Sequence, residues 1–345
     1  MDSRGTPTLV DDPVGGWERL AERMDTAVPH IVEARDHTRT RIAEVQDQLG
    51  NEYLADGLSI CLFGSWAREE LTPGSDDDWA VLASQPFGSY DAGVVSVVEI
   101  AQRHLGAEDR APGSQGIFGV PFDVVSLVEN IGLDADTNTN LTRRMLLLLE
   151  SCEATGSCHD DARRTVLDRY MNYGVKDFRP PRFLLNDLTR YWRTICVDFE
   201  GKHADSLGDD PKWVSRNAKL RISRKLLFAG ALVPILLCHL HDRDAMTNFL
   251  DTWLRAVPLD RLATAFDWAG AQSEGARALT AYDRWMAIQL DPTARAELKT
   301  LRHDTRRESV LFQEIMDIGA QFERAILALL FNTRLAPLSQ QYLVF

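Results

Sequence analysis

The sequence predicts a small α/β unit with a mixed sheet, followed by a mostly helical region. Three observations predict this. Between residues 50 and 130, short apolar runs bounded by turn residues alternate with one amphipathic stretch. After Asp134, apolar residues recur at i, i+3 and i+4 nearly to the end. The 345 residues are too many for one ordinary core and suit two domains. The expected organisation is a flexible tail over 1–16, an α/β core with its N-terminal helix over 17–135, and a helical domain over 136–345.

The elements follow in order. Ile31, Ile42, Val45 and Leu49 keep helical spacing, and Pro29 suits the start of that helix. "GLSICLFGS" reads as a short buried strand ending at Gly64-Ser65. "DDDWAVLAS" reads as a second strand, entered through Asp76, Asp77 and Asp78. "AGVVSVVEIAQRHLG" suits a helix. "GVPFDVVSLVEN" reads as a third strand with Asp123 as the charge in its apolar centre. Beyond it, Leu184, Leu188, Tyr191, Ile195 and Phe199 form one helical stripe, and Ile315, Ile318, Phe322 and Leu329 another. "KDFRPPRF" (176–183) marks a boundary or hinge, and "GDDP" (208–211) a loop.

Composition narrows the function classes. Thirty-eight Lys and Arg against 51 Asp and Glu give a net charge of −13, which argues against a general nucleic-acid coat but not against a local basic groove. The five cysteines, an odd number mostly in apolar runs, read as reduced thiols of a cytoplasmic protein. Cys152 and Cys158-His159 are spaced too widely for a usual zinc knuckle. The N-terminus lacks the basic and apolar regions of a signal peptide. The longest apolar run, Leu226 to Leu240, is shorter than a bilayer span and is interrupted by Pro234, so it reads as a buried helix and no membrane role is expected.

The aspartates carry the chemistry. On a strand, Asp76 and Asp78 point to one face and Asp77 to the other. Asp123 can join the first two if its strand is their neighbour. Three carboxylates on one face repel unless a cation neutralises them. Hard divalent ions such as Mg²⁺ or Mn²⁺ take oxygen ligands and bring substrate phosphates. Gly64 allows backbone to approach a phosphate closely. Ser65 is expected to open a helix whose N-terminus attracts anions, and Arg68 can add a bidentate contact.

Gly64-Ser65, Arg68, Glu70, Ser75, Asp76 and Asp78, with a later strand aspartate, resemble the polymerase-β-type nucleotidyltransferase superfamily. The run "GSWAREELTPGSDDD" is similar to its bacterial branch of protein uridylyl- and adenylyltransferases. The resemblance covers roughly residues 55 to 130. It departs at Asp77, where an apolar residue is usual. It implies that Asp76 and Asp78 hold Mg²⁺ (or Mn²⁺), and that Asp123 is a third ligand that helps to activate an acceptor hydroxyl. Gly64, Ser65 and Arg68 would then bind the phosphates of an NTP such as ATP, or in the case of Arg68 support their loop. The reaction implied is transfer of an NMP to a protein, a tRNA or other RNA end, or a nucleotide, with release of pyrophosphate. The helical domain would bind the acceptor. The alternative expectation is a catalytically inactive nucleotide-sensing or scaffold module on the same fold.

A second feature is "KWVSRNAKLRISRK" (212–225), with six basic residues and no acidic one. They spread over more than half of a helix circumference, among Leu220, Ile222 and Leu226. Lys219, Arg224 and Lys225 are candidate phosphate contacts. Arg190 and Arg193 read as a solvated face, and "LRHDTRRES" (301–309) as a charged loop or helix start. His104, His203 and His239 read as structural or surface residues.

Overall fold

The computed structural model describes residues 12–107, 116–205, 210 and 212–344. Residues 1–11 of the expected tail lie outside them, as does the loop 208–211 apart from Asp210. In chain order the elements are α1 (Gly16–Arg23), α2 (Pro29–Leu49), β1 (Leu58–Phe63), β2 (Trp79–Ala83), α3 (Ala92–Leu105), β3 (Pro121–Asp123) and α4 (Val124–Glu129). They continue as α5 (Asn138–Leu149), β4 (Ser151–Gly156), α6 (His159–Met171), α7 (Arg182–Asp205), α8 (Trp213–Arg221) and α9 (Ser223–Leu237). Then come α10 (Arg243–Arg255), α11 (Pro258–Ala269), α12 (Gln272–Leu290), α13 (Pro292–Thr300), α14 (Val310–Phe331) and α15 (Ala336–Ser339).

The chain is α/β with many helices and forms two compact units. One unit comprises residues 33–176 and 243–251 and holds the sheet. The other comprises 1–32, 177–242 and 252–345 and is helical. This division differs from a cut at 135/136. Residues 136–176 belong with the sheet because they supply β4 and the helices against it. Helix α1 belongs with the helical unit because its apolar face meets α11.

The sheet has the order β3-β2-β1-β4. β1 is antiparallel to β2 and to β4, and β2 is parallel to β3. Both central strands are buried along their whole length, which is why they read as apolar runs, interrupted in β1 by buried Ser59. Leu58, Ile60 and Leu62 pair with Ala83, Val81 and Trp79. These six share a core with Val45 and Leu49 of α2 and with Val94, Val97 and Ile100 of α3.

Two expectations for this unit are corrected. β4 stands where continuous helix was expected. Its residues are mostly half-buried, as suits a sheet edge, so no apolar run announced it. The third strand is only three residues long, because the side chain of Asp123 accepts from the amide of Ser126 at 2.7 Å and starts α4 there. Behind it, fully buried Arg144 donates to both carboxylate oxygens of Asp136, at 3.1 and 2.9 Å, and to the Tyr170 hydroxyl at 2.7 Å. These bonds tie α5 to α6 and to the loop before α5.

In the helical unit, α9 is buried almost throughout and contains Pro234. Helices α7, α8 and α11 pack on it, and α12 pairs with α14. Gly16 lets α1 reach the backbone of α11, since a β-carbon there would collide with the Asp260 carbonyl and the Thr264 hydroxyl. The amide of Trp17 donates to Asp260 Oδ1 at 3.2 Å. Among the described residues, no helix is long and apolar enough to cross a membrane.

Candidate active site

The site is built where β1 ends and β2 begins. Gly64 follows β1 with φ +62°, a conformation that L side chains rarely adopt. A β-carbon on it would lie 2.8 Å from Oδ2 of Asp78. The ladder continues one step past β2, since Phe63 donates its amide to the Asp78 carbonyl at 2.8 Å. Thus the glycine turn and the second aspartate of the pair are in contact.

The three aspartates divide by environment. Asp77 is 2% exposed, Asp78 is half-buried and Asp76 is exposed. Strand alternation carried back from Trp79 gives the same division, with Asp77 on the side of Trp79 and Val81, which face the core. The strand itself begins at Trp79, so Asp76 and Asp78 lie on the approach to β2 and not within it.

The segment after Gly64 is a series of turns and not the helix expected from Ser65. Arg68 donates its amide to the Gly64 carbonyl at 3.0 Å, and Glu70 to that of Ser65 at 2.8 Å. No helix N-terminus therefore acts at Ser65. Glu69 takes φ +58°, and its carboxylate sits 2.8 Å from Arg35 and 3.0 Å from Arg39 of α2. The Thr38 hydroxyl, donating to Ala34, accepts the amide of Leu71 at 2.8 Å. Ser75 closes the next turn, its amide donating to the Thr72 carbonyl at 2.9 Å.

Arg68 is a clamp inside this segment. Its Nε lies 2.8 Å from Glu70, and its Nη1 contacts Glu150, whose side chain is fully buried. Arg68 is thus paired with two carboxylates of the same unit. Sequence reading missed Arg35, Thr38, Arg39 and Glu150. Glu150 stands 82 residues from Arg68, and no local pattern links them.

Asp123 does not join Asp76 and Asp78. It pairs with Ala83, at the opposite end of β2. Five residues of strand separate Ala83 from Asp78, about 16 Å. Beside the end of β1 stands Phe118, its ring 5.6 Å from that of Phe63. Asp123 binds the Ser126 amide and hydroxyl, and Arg143 lies near it. Burial pulls the Arg143 guanidinium below its usual pKa, and Asp123 opposes that shift.

Asp76 and Asp78 fit a single divalent ion. Mg²⁺ commonly takes one or two carboxylates and completes its shell with water and substrate phosphates. Asp123 does not fit as a third ligand. Among the described residues, no group of three or more His, Cys, Asp or Glu side chains could hold a metal. Lys219, Arg224 and Lys225 belong to the helical unit. Lys219 is exposed, Arg224 is half-buried, and Lys225 lies 3.1 Å from Glu323. Comparison with protein-family models, curated proteins and solved structures finds no match to this chain.

Proposed function

We propose that the chain is a Mg²⁺-dependent nucleotidyltransferase. The contact between Gly64 and Asp78 carries this reading. A side-chain-free turn closed on a half-buried carboxylate, with a second carboxylate two residues away, suits a triphosphate and its ion. Asp76 and Asp78 would hold the ion, which when bound supplies neutralisation of the triphosphate charge. Gly64 and Ser65 admit the phosphates. Arg68, Arg35 and Thr38 keep that loop in place. An acceptor hydroxyl oxygen attacks the α-phosphorus of the NTP, the bond to the β-phosphate bridging oxygen breaks, pyrophosphate leaves, and the hydroxyl proton passes to solvent. Asp123 takes no part in this scheme. The acceptor is a protein, an RNA end or a nucleotide.

One observation favours a second reading. The displaced Asp123 leaves the site with two carboxylates, as a nucleotide-sensing module would have. Incubation with each α-³²P-labelled NTP, Mg²⁺ or Mn²⁺ and a cell lysate separates the readings. Transfer predicts label in a protein, RNA or small-molecule fraction, reduced about 100-fold or more in Asp76→Ala/Asp78→Ala. NTP binding without label in any fraction selects the sensing module. Label unchanged in the double variant overturns the assigned site.

A further inference from the structure

Ser151 opens β4 beside the Gly64 turn. It pairs with Phe63, the residue before Gly64, and its Oγ lies 2.8 Å from Nε2 of His159. Nδ1 of His159 lies 3.4 Å from the carboxylate of Asp160. The residue before Ser151 is Glu150, which contacts Arg68 of the turn segment. A serine, a histidine and a carboxylate thus stand in a row at the end of β1, where Asp78 also stands. All of them belong to the unit that holds the sheet.

Strand alternation puts Asp78, Phe63 and Ser151 on one face. Their sequence neighbours Trp79, Leu62 and Cys152 pack in the core on the opposite face. Paired strands lie about 4.8 Å apart, so Asp78 and Ser151, two strands from each other, are separated by about 10 Å. Mg²⁺ takes oxygens at about 2 Å, so an ion on Asp78 and the phosphate it carries span much of that gap, across the side-chain-free Gly64. Ser151 is half-buried and His159 is buried. The Ser151 hydroxyl donates to the Leu147 carbonyl at 2.6 Å, and Nη1 of Arg163 donates to the same carbonyl, also at 2.6 Å. If the hydroxyl turns its proton to Nε2, Arg163 still satisfies Leu147, so the turn strands no carbonyl. The Nδ1–H tautomer, which faces Asp160, leaves Nε2 as the acceptor for that proton. Arg163 meanwhile holds a positive charge near Oγ.

We propose that Ser151 is an acceptor hydroxyl for the chain's own nucleotidyl transfer, with His159 as its general base and Asp160 as a positioning residue. The proposal rests on the transferase reading and names one acceptor for it. The bond between Ser151 Oγ and the α-phosphorus of the NTP forms. The bond from that phosphorus to the bridging oxygen of the β-phosphate breaks, and pyrophosphate leaves. The Ser151 proton passes to Nε2 of His159. The product is a phosphodiester that joins Ser151 to the nucleoside.

The test incubates the purified full-length protein with each α-³²P-labelled NTP and Mg²⁺, first without and then with a cell lysate. Label on the chain, intact mass and the labelled peptide are followed. The expected result without lysate is a mass gain of one nucleoside monophosphate, carried by the peptide that holds Ser151, at a rate per chain independent of protein concentration. Ser151→Ala and Asp76→Ala/Asp78→Ala should each lose this label. His159→Gln should slow it about 100-fold or more and flatten its rise with pH, as loss of a general base does. Asp160→Asn alters a side chain that is 67% exposed, so it keeps the test valid if His159 proves necessary for folding. It should slow labelling about tenfold at saturating NTP and shift the pH profile, which a merely structural role would not do. Label on a lysate acceptor with none on the chain overturns this proposal and leaves the transferase reading standing. NTP binding with no label on either overturns both. Label on another residue of the chain, or label on Ser151 that His159→Gln and Asp160→Asn leave unchanged in rate and pH profile, overturns the proposal alone.

Discussion

Oδ2 of Asp78 lies 2.8 Å from where a β-carbon on Gly64 would stand, closer than the two atoms can approach without one of them shifting. Gly64→Ala therefore meets two penalties, a left-handed backbone costing about 1–2 kcal/mol and a collision with the carboxylate. We expect its melting temperature to fall by several degrees and NTP labelling to be lost. Gly64→Ala/Asp78→Ala removes the collision and leaves the backbone cost. The double variant should therefore melt above the value that adding the two single effects predicts. Additive melting temperatures would show that the two residues do not touch.

Arg68 neutralises two carboxylates, one of them fully buried. Arg68→Ala strands Glu150 without this partner and should cost about 3 kcal/mol or more in urea unfolding. Glu150→Gln in the same chain should recover a large part of that loss. Arg68→Lys should not, because a point charge does not reproduce the fork that reaches both acids.

Asp123 serves α4 as its cap. Asp123→Ala should lower stability by about 1 kcal/mol, and Asp123→Ser should restore most of it. If transfer activity is found, Asp123→Ser should retain it within about tenfold while Asp76→Ala/Asp78→Ala loses it. An Asp123→Ser variant as inactive as the double variant would contradict the register of β3 against β2.

His239 and His303 give the protein an acid limb. Burial lowers both pKa values, with Arg306 as the next cause at His303. A histidine depressed in the folded state takes up its proton more readily when unfolded. Its stabilising effect is complete above the unfolded value of about 6.5 and is lost as pH falls from there through the lower folded value. Urea midpoints should therefore fall between pH 7.5 and 5.5, and less steeply in His239→Gln/His303→Gln.

Elements with strong local signals were legible in the sequence. Pro29 and the spacing from Ile31 to Leu49 define α2, and the apolar runs around Ile60 and Val81 define the central strands. The Gly64-Ser65 turn and the division of Asp77 from Asp76 and Asp78 follow from glycine geometry and strand alternation. β4 was not legible because a half-buried edge needs no apolar run. The role of Asp123 was not legible because a carboxylate before Val-Val-Ser reads equally as a strand residue or a cap. The partner of Arg68 was hidden by distance, since Glu150 is brought to it by packing.

The pairing of Trp17 with Asp260 spans 243 residues. A ribosome adds about 5–20 residues per second, so Asp260 is synthesised roughly 12–50 s after Trp17. During that interval the amphipathic first helix is already made and α11 does not yet exist. Folding of the helical unit during synthesis is therefore gated by translation of the last third of the chain, and slow codons there would prolong exposure of Trp17 and Leu20 to chaperones and proteases.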